Sequence, residues 1–119
     1  MREVLAAAEL VLSSTLTLVE CDRVLIRAVA VEGVEEAVAA ERRARVRLAV
    51  EHWILFDLDP EIVDRARRPF PKEPVRTLDA IHLATAVLGQ ALVPDLELLS
   101  LDDRVRGAAA LMGLSLLPR

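Results

Sequence analysis

Three acidic residues, Glu20, Asp79 and Asp102, stand at places in this sequence where carboxylates can work together. Glu20 comes near the start of a helical stretch that follows the apolar run Leu10-Val11-Leu12. Asp79 falls in the first turn of a long apolar helix, and Asp102 where the strand-like run Leu96–Leu101 turns into a helix. In open α/β sheets ligands bind at the carboxyl edge of the strands, which such helix starts face. Carboxylates converging there repel one another unless a divalent cation sits between them. Mg²⁺ or Mn²⁺ takes oxygen ligands, keeps part of its water shell, and can polarise a water for attack on a phosphodiester. Asp103 is next to this set and could assist, but the spacing favours Asp102.

The helix carrying Asp79 is apolar on nearly every side, with Leu78, Ala80, Ile81, Leu83, Ala84, Ala86, Val87 and Leu88. A helix without a wide polar face packs in a core. A carboxylate in its first turn therefore needs a partner for its charge. Two partners remain open from the residues alone. The helix itself offers unpaired N–H groups and the positive end of its dipole. The alternative is a cation shared with the other two acids.

The elements that must position these residues alternate between helix and strand. Arg2–Glu9 reads as the end of a helix and Leu10–Leu12 as a short strand, followed by a capping cluster at Ser13, Ser14 and Thr15. Leu16 to about Val31 is a helix with Leu18, Cys21, Leu25 and Ala28 on one stripe, ended by Gly33. Glu35–Glu51 is a second helix with an alanine-rich stripe at Ala37, Ala40, Ala44 and Leu48. Its arginines, Arg42, Arg43, Arg45 and Arg47, read as a solvated face or as a phosphate-contacting stripe. Trp53–Phe56 is a strand, Asp59 and Pro60 start a helix, and Pro69, Pro71 and Pro74 stiffen a loop. The central helix then runs to near Gly89. Leu96–Leu101 is a strand, Asp102–Met112 a helix capped by Gly113, and Leu114–Leu117 a last strand. Such alternation predicts a parallel sheet flanked by helices, in one domain over residues 1–119.

Composition narrows the class. Hydrophobic residues make up 54% of the chain but aromatics only 3%, so the core is built of Leu, Val and Ala. No apolar run reaches the roughly 18 residues of a membrane span and no secretory leader opens the chain, which points to the cytoplasm. Cys21 is the single cysteine, which excludes a disulfide framework and a cysteine-based zinc site. The net charge of −4 argues against a surface that attracts nucleic acid everywhere and leaves room for a local basic patch.

Three segments in order carry a family resemblance: Ser14-Thr15-Leu16-Thr17-Leu18-Val19-Glu20, Arg76-Thr77-Leu78-Asp79-Ala80-Ile81-His82-Leu83-Ala84-Thr85-Ala86, and Ser100-Leu101-Asp102. Together they resemble the motifs of PIN-domain proteins of the VapC toxin ribonuclease type. The resemblance implies a three-layer α/β fold and a metal-dependent endoribonuclease using Mg²⁺ or Mn²⁺. It also implies a homodimer and inhibition by a VapB-like antitoxin. By motif, Glu20, Asp79 and Asp102 are its acidic residues and metal ligands, and Ser100 is the hydroxyl preceding the last of them. His82 matches the motif too, but three residues beyond Asp79 it reads as packing or a local hydrogen bond rather than a base. Arg76 and Arg104, each within three residues of an acid of the set, are the candidates for RNA phosphates.

The sequence departs from the family at its start. The family opens with a strand ending in an Asp that ligates the metal, whereas Met1-Arg2-Glu3-Val4-Leu5 reads as part of the helix after that strand. The expectation is a PIN-like sheet with its first, central strand missing, a metal site short of one carboxylate, weak cation binding and low activity. The competing expectation is a catalytically silent PIN-like module that binds a protein or RNA. A receiver-like signalling domain is disfavoured, because no Lys follows a strand near the carboxyl terminus.

Overall fold

The computed structural model describes residues 2–119 (backbone alone for Arg2 and Ala6), and the chain divides into two compact units. One is Leu10–Asp57; the other is Leu58–Arg119 with the segment up to Glu9. The second includes α1 (Arg2–Ala7).

In the Leu10–Asp57 unit, β1 (Leu12–Ser14) feeds directly into α2 (Thr15–Val31). The apolar run predicts this strand at Leu10–Leu12, and it lies two residues further on. Ser14 explains the shift. An N-cap residue has extended backbone angles, so Ser14 (φ −100°, ψ 149°) ends the ladder opposite Phe56 and caps the helix at once, its hydroxyl accepting from the Leu16 amide at 3.1 Å. Leu10, in contrast, is 45% exposed. β1 pairs in parallel with β2 (Ile54–Phe56), Leu12 opposite Ile54. The stripe expected on α2 is the one that packs, with Leu25 and Ala28 buried. Burial raises the Cys21 thiol above its usual pKa and Glu20 and Asp22 push the same way, which suits an inert packed side chain.

α3 (Glu36–Val50) packs on α2 through a different stripe from the expected one. Ala37, Ala40, Ala44 and Leu48 are exposed, whereas Ala39 is buried and Val38, Arg43, Val46 and Val50 are half-buried. Valines bury more apolar area than alanines, and burial scales with that area. Arg43 joins the stripe by pairing with Asp22 of α2 at 3.6 Å.

In the other unit α4 (Pro60–Ala66) starts as expected, with Asp59 accepting from the Ile62 amide at 3.0 Å and Pro60 in the first turn. A proline-containing loop leads to α5 (Thr77–Leu92), which continues past Gly89 because that residue lies buried within the helix. β3 (Glu97–Leu99), α6 (Asp103–Leu111) and β4 (Ser115–Leu117) complete the unit, β3 pairing with β4 in parallel. Phe70, Ala80, Leu83, Ala86, Val105, Ala108, Ala109 and Leu114 form its core. The chain is thus a helix-rich α/β protein with parallel strands. Among the described residues the strands form two separate pairs, one in each unit.

Candidate active site at the starts of α5 and α6

Arg76 is the N-cap residue of α5, and its side chain makes no bond to the helix amides. Its guanidinium is directed at two acids instead. Nε donates to Asp79 Oδ2 at 3.0 Å and Nη2 donates to Asp102 Oδ2 at 3.1 Å. Two of the three acids expected to act together are therefore brought to one point, and a cation within the chain lies between them. Asp79 is the more enclosed, with 21% of its side chain exposed against 37% for Asp102 and 67% for Arg76. Ion pairs this exposed contribute about 0–1 kcal/mol each, so the bridge is easily exchanged.

Asp102 is held from both ends. Its backbone N–H donates to the Ser100 hydroxyl at 3.1 Å, and Oδ1 accepts from the amides of Arg104 at 2.9 Å and Val105 at 3.2 Å. The amide bonds from Val105 and Arg104 hold the carboxyl below its usual pKa against the opposing effect of desolvation, and the charges of Arg76 and Arg104 add smaller lowering effects. Asp102 is thus a fixed anion and a poor proton acceptor. An open cleft of ≈ 350 Å³ lies beside it, lined by Arg76, Asp102, Asp103 and Arg104.

Ser100 acts through its backbone as well as its hydroxyl. Its N–H donates to the Leu117 carbonyl at 3.0 Å and its own carbonyl accepts from Arg106 Nη1 at 2.8 Å. Arg106 also donates to the carbonyls of Leu117 and Pro118 at 3.0 and 2.7 Å. Sequence reasoning missed this residue; its position one helical turn after Asp102 was the available signal. It missed Glu73 too, whose carboxylate accepts from the amides of Phe70 and Val75, both at 2.7 Å, and so shapes the loop that delivers Arg76.

Glu20 is half-buried on α2 and belongs to the Leu10–Asp57 unit. His82 is half-buried on α5, one turn beyond Asp79. Among the described residues no group of three or more His, Cys, Asp and Glu side chains is arranged to hold a metal ion. The fit to a divalent cation is therefore poor as the side chains stand. Both oxygens of Asp102 are engaged, and Arg76 supplies the positive charge between the carboxylates.

A model of the PIN domain family matches residues 1–111, so the chain belongs to the PIN domain family. Its relatives make it a VapC-type member. It is 44% identical over 72 residues to "Ribonuclease VapC46" of Mycobacterium tuberculosis (strain ATCC 25618 / H37Rv), a match covering 60% of this chain and 52% of that protein. It is 34% identical over 104 residues to "Ribonuclease VapC35" of Mycobacterium tuberculosis (strain CDC 1551 / Oshkosh), covering 87% of this chain and 69% of the relative. The match thus spans about half the length of the first relative and about two thirds of the second. No solved structure matches.

Proposed function

We propose that this chain is the PIN domain of a toxin ribonuclease that hydrolyses RNA phosphodiesters as one half of a VapBC-type pair. The observation that carries the reading is the meeting of Asp79 and Asp102 at two helix starts beside a cleft lined by arginines, in a chain related to ribonucleases. Arg104 faces the cleft and supplies positive charge for a phosphate. Asp102, kept anionic by the α6 amides, serves as fixed negative charge rather than as the proton acceptor. Ser100 positions Asp102. Glu20, in the Leu10–Asp57 unit, is proposed as an acidic residue of the reaction on the family motif alone, and the proposed cofactor is Mg²⁺ or Mn²⁺. A VapB-like antitoxin as inhibitor, a homodimer and a cytoplasmic location belong to the same proposal. No helix among the described residues is long and apolar enough to cross a membrane.

The test is cleavage of a mixed-sequence RNA by the purified chain with Mg²⁺, with Mn²⁺ and with EDTA. Cleavage that needs the metal and is lost in Asp79→Asn supports the nuclease. A second reading, a silent PIN module that binds RNA or a protein, is favoured by the position of Arg76, whose guanidinium bridges the two carboxylates. Binding of RNA without cleavage under any of these conditions selects it.

A further inference from the structure

Between Arg65 and Arg76 the chain carries five cationic residues and a single acid, Glu73. The Glu73 carboxylate is taken by the amides of Phe70 and Val75. Arg65 is spent on the Phe70 ring, 4.3 Å from its centre, and Arg76 on the bridge between Asp79 and Asp102. Lys72 is different. Among the described residues it forms no ion pair, and its exposed side chain lies across α6 at Gly107. A Cβ at Gly107 would stand 3.3 Å from Lys72 Cδ and 3.2 Å from Nζ. The bare position in the helix thus seats an ammonium that arrives from the preceding loop.

The helix sets the distance to a second cation. Arg104 precedes Gly107 by three residues, which makes the two positions neighbours on one face, about 5–6 Å apart. Arg104 lines the cleft beside Asp102 and forms no ion pair among the described residues. Two like charges within a helical turn repel, and a ligand bearing two anionic groups at that spacing relieves the repulsion. Asp103 shares the turn and weakens the positive potential without pairing with either cation.

We propose that Lys72, seated on Gly107, and Arg104 bind successive phosphates of one nucleic-acid strand, extending the cleft along α6. This deepens the nuclease reading and rests on it for the choice of a nucleic acid as the polyanion. A strand bears one phosphate per nucleotide, so two cations one turn apart meet adjacent groups of a single strand. Such contacts fix the register of the strand and read no base. The stem of Lys72 is already laid against α6, so less side-chain freedom is lost when a phosphate arrives.

Fluorescence anisotropy of a labelled single-stranded RNA, with EDTA present and across a salt series, reads the affinity; a DNA strand of the same sequence is the second probe. Lys72→Ala is expected to raise Kd about three- to tenfold at low salt and to lower the slope of log K against log salt by about 0.7. Combined with Arg104→Ala it should lower the slope by about twice that. Gly107→Leu fills the seat and displaces Lys72, so it should weaken binding as Lys72→Ala does, and the two together should cost no more than either alone. Arg119→Ala removes the same charge from the same unit, away from the seat and paired with Glu97, and should leave Kd within about twofold. The losses should be equal on RNA and DNA, since neither contact reads the ribose hydroxyl. Unchanged binding in Lys72→Ala, an equal loss in Arg119→Ala, no loss in Gly107→Leu, or a loss on RNA alone each overturns the phosphate track. The expected losses with no RNA cleavage by any variant in Mg²⁺ or Mn²⁺ uphold the track and remove the nuclease reading. Cleavage by the wild type with binding unaltered in Lys72→Ala removes the track alone.

Discussion

Arg106 reaches from α6 back to the end of β3, where its guanidinium donates to the Ser100 carbonyl oxygen at 2.8 Å. The same side chain grips Leu117 and Pro118 at the end of β4. One arginine thus ties together the two strand ends and the helix whose first turn Asp102 caps. Replacing it by Ala leaves three part-buried carbonyls without this donor. We expect a loss of about 2–3 kcal/mol, since bonds to a charged group contribute about 1.5–3 kcal/mol each and water recovers part of it. Urea unfolding measures the cost. Arg106→Lys, which keeps the charge but not the fork, should recover less than half of the loss.

The lowered pKa of Asp102 makes stability depend on acid. The folded carboxyl titrates below the ordinary value of 3.8, so the unfolded chain binds the proton more readily. The stabilisation is therefore fully present above the unfolded value and is lost as pH falls through the folded one. Asp102→Asn retains a capping oxygen and has no such titration. The stability difference between wild type and Asp102→Asn should be constant from pH 7 down to about 5 and shrink below about 4. Chemical unfolding across that range reads it, and a difference that stays flat to pH 2 would refute the assignment.

Arg104 is expected to act on RNA through charge. Substitution by Ala should weaken binding across RNA sequences and lower the slope of log K against log salt by about one phosphate contact. Filter binding at several salt concentrations measures it. An unchanged slope removes Arg104 from the substrate surface.

Much of this organisation is legible in the sequence because it rests on local chemistry. Asp59 before Pro60 starts α4 and Gly113 closes α6, as their residue types dictate. The α2 stripe was legible because Leu18, Cys21, Leu25 and Ala28 keep helical spacing, although Val19, Val24 and Ile26 beside them are exposed. On α3 the same rule failed, since alanines mark a helix face only weakly and the choice fell to three valines and the Arg43–Asp22 pair. Places at helix starts grouped Glu20, Asp79 and Asp102, and the structure ties two of them, Asp79 and Asp102, to the one side chain of Arg76. What spacing could not give was the state of Arg76. A basic residue three positions before an acid reads equally as a phosphate ligand or an ion-pair partner, and only the approach of the α6 start decides that it bridges two carboxylates.

Two glycines on or beside α6 should respond to Ala in opposite directions. Gly113 has φ +82° and closes the helix, with its N–H donating to the Ala110 carbonyl and the Leu114 N–H to that of Ala109. A Cβ there meets no atom within 4 Å, so the cost is backbone strain alone. Left-handed residues other than glycine cost about 1–2 kcal/mol, and Gly113→Ala should lower stability by about 1 kcal/mol. Gly107 lies inside α6, where Ala is favoured over Gly by about 0.8–1.0 kcal/mol. Its added Cβ would approach Lys72 Nζ at 3.2 Å and Cδ at 3.3 Å, atoms at the free end of an exposed chain that can shift by the few tenths of an ångström required. Gly107→Ala should therefore be neutral to about 1 kcal/mol more stable. Urea midpoints of the two variants, measured side by side, separate a helix cap from a helix interior, and a midpoint for Gly107→Ala below that of Gly113→Ala would overturn the comparison.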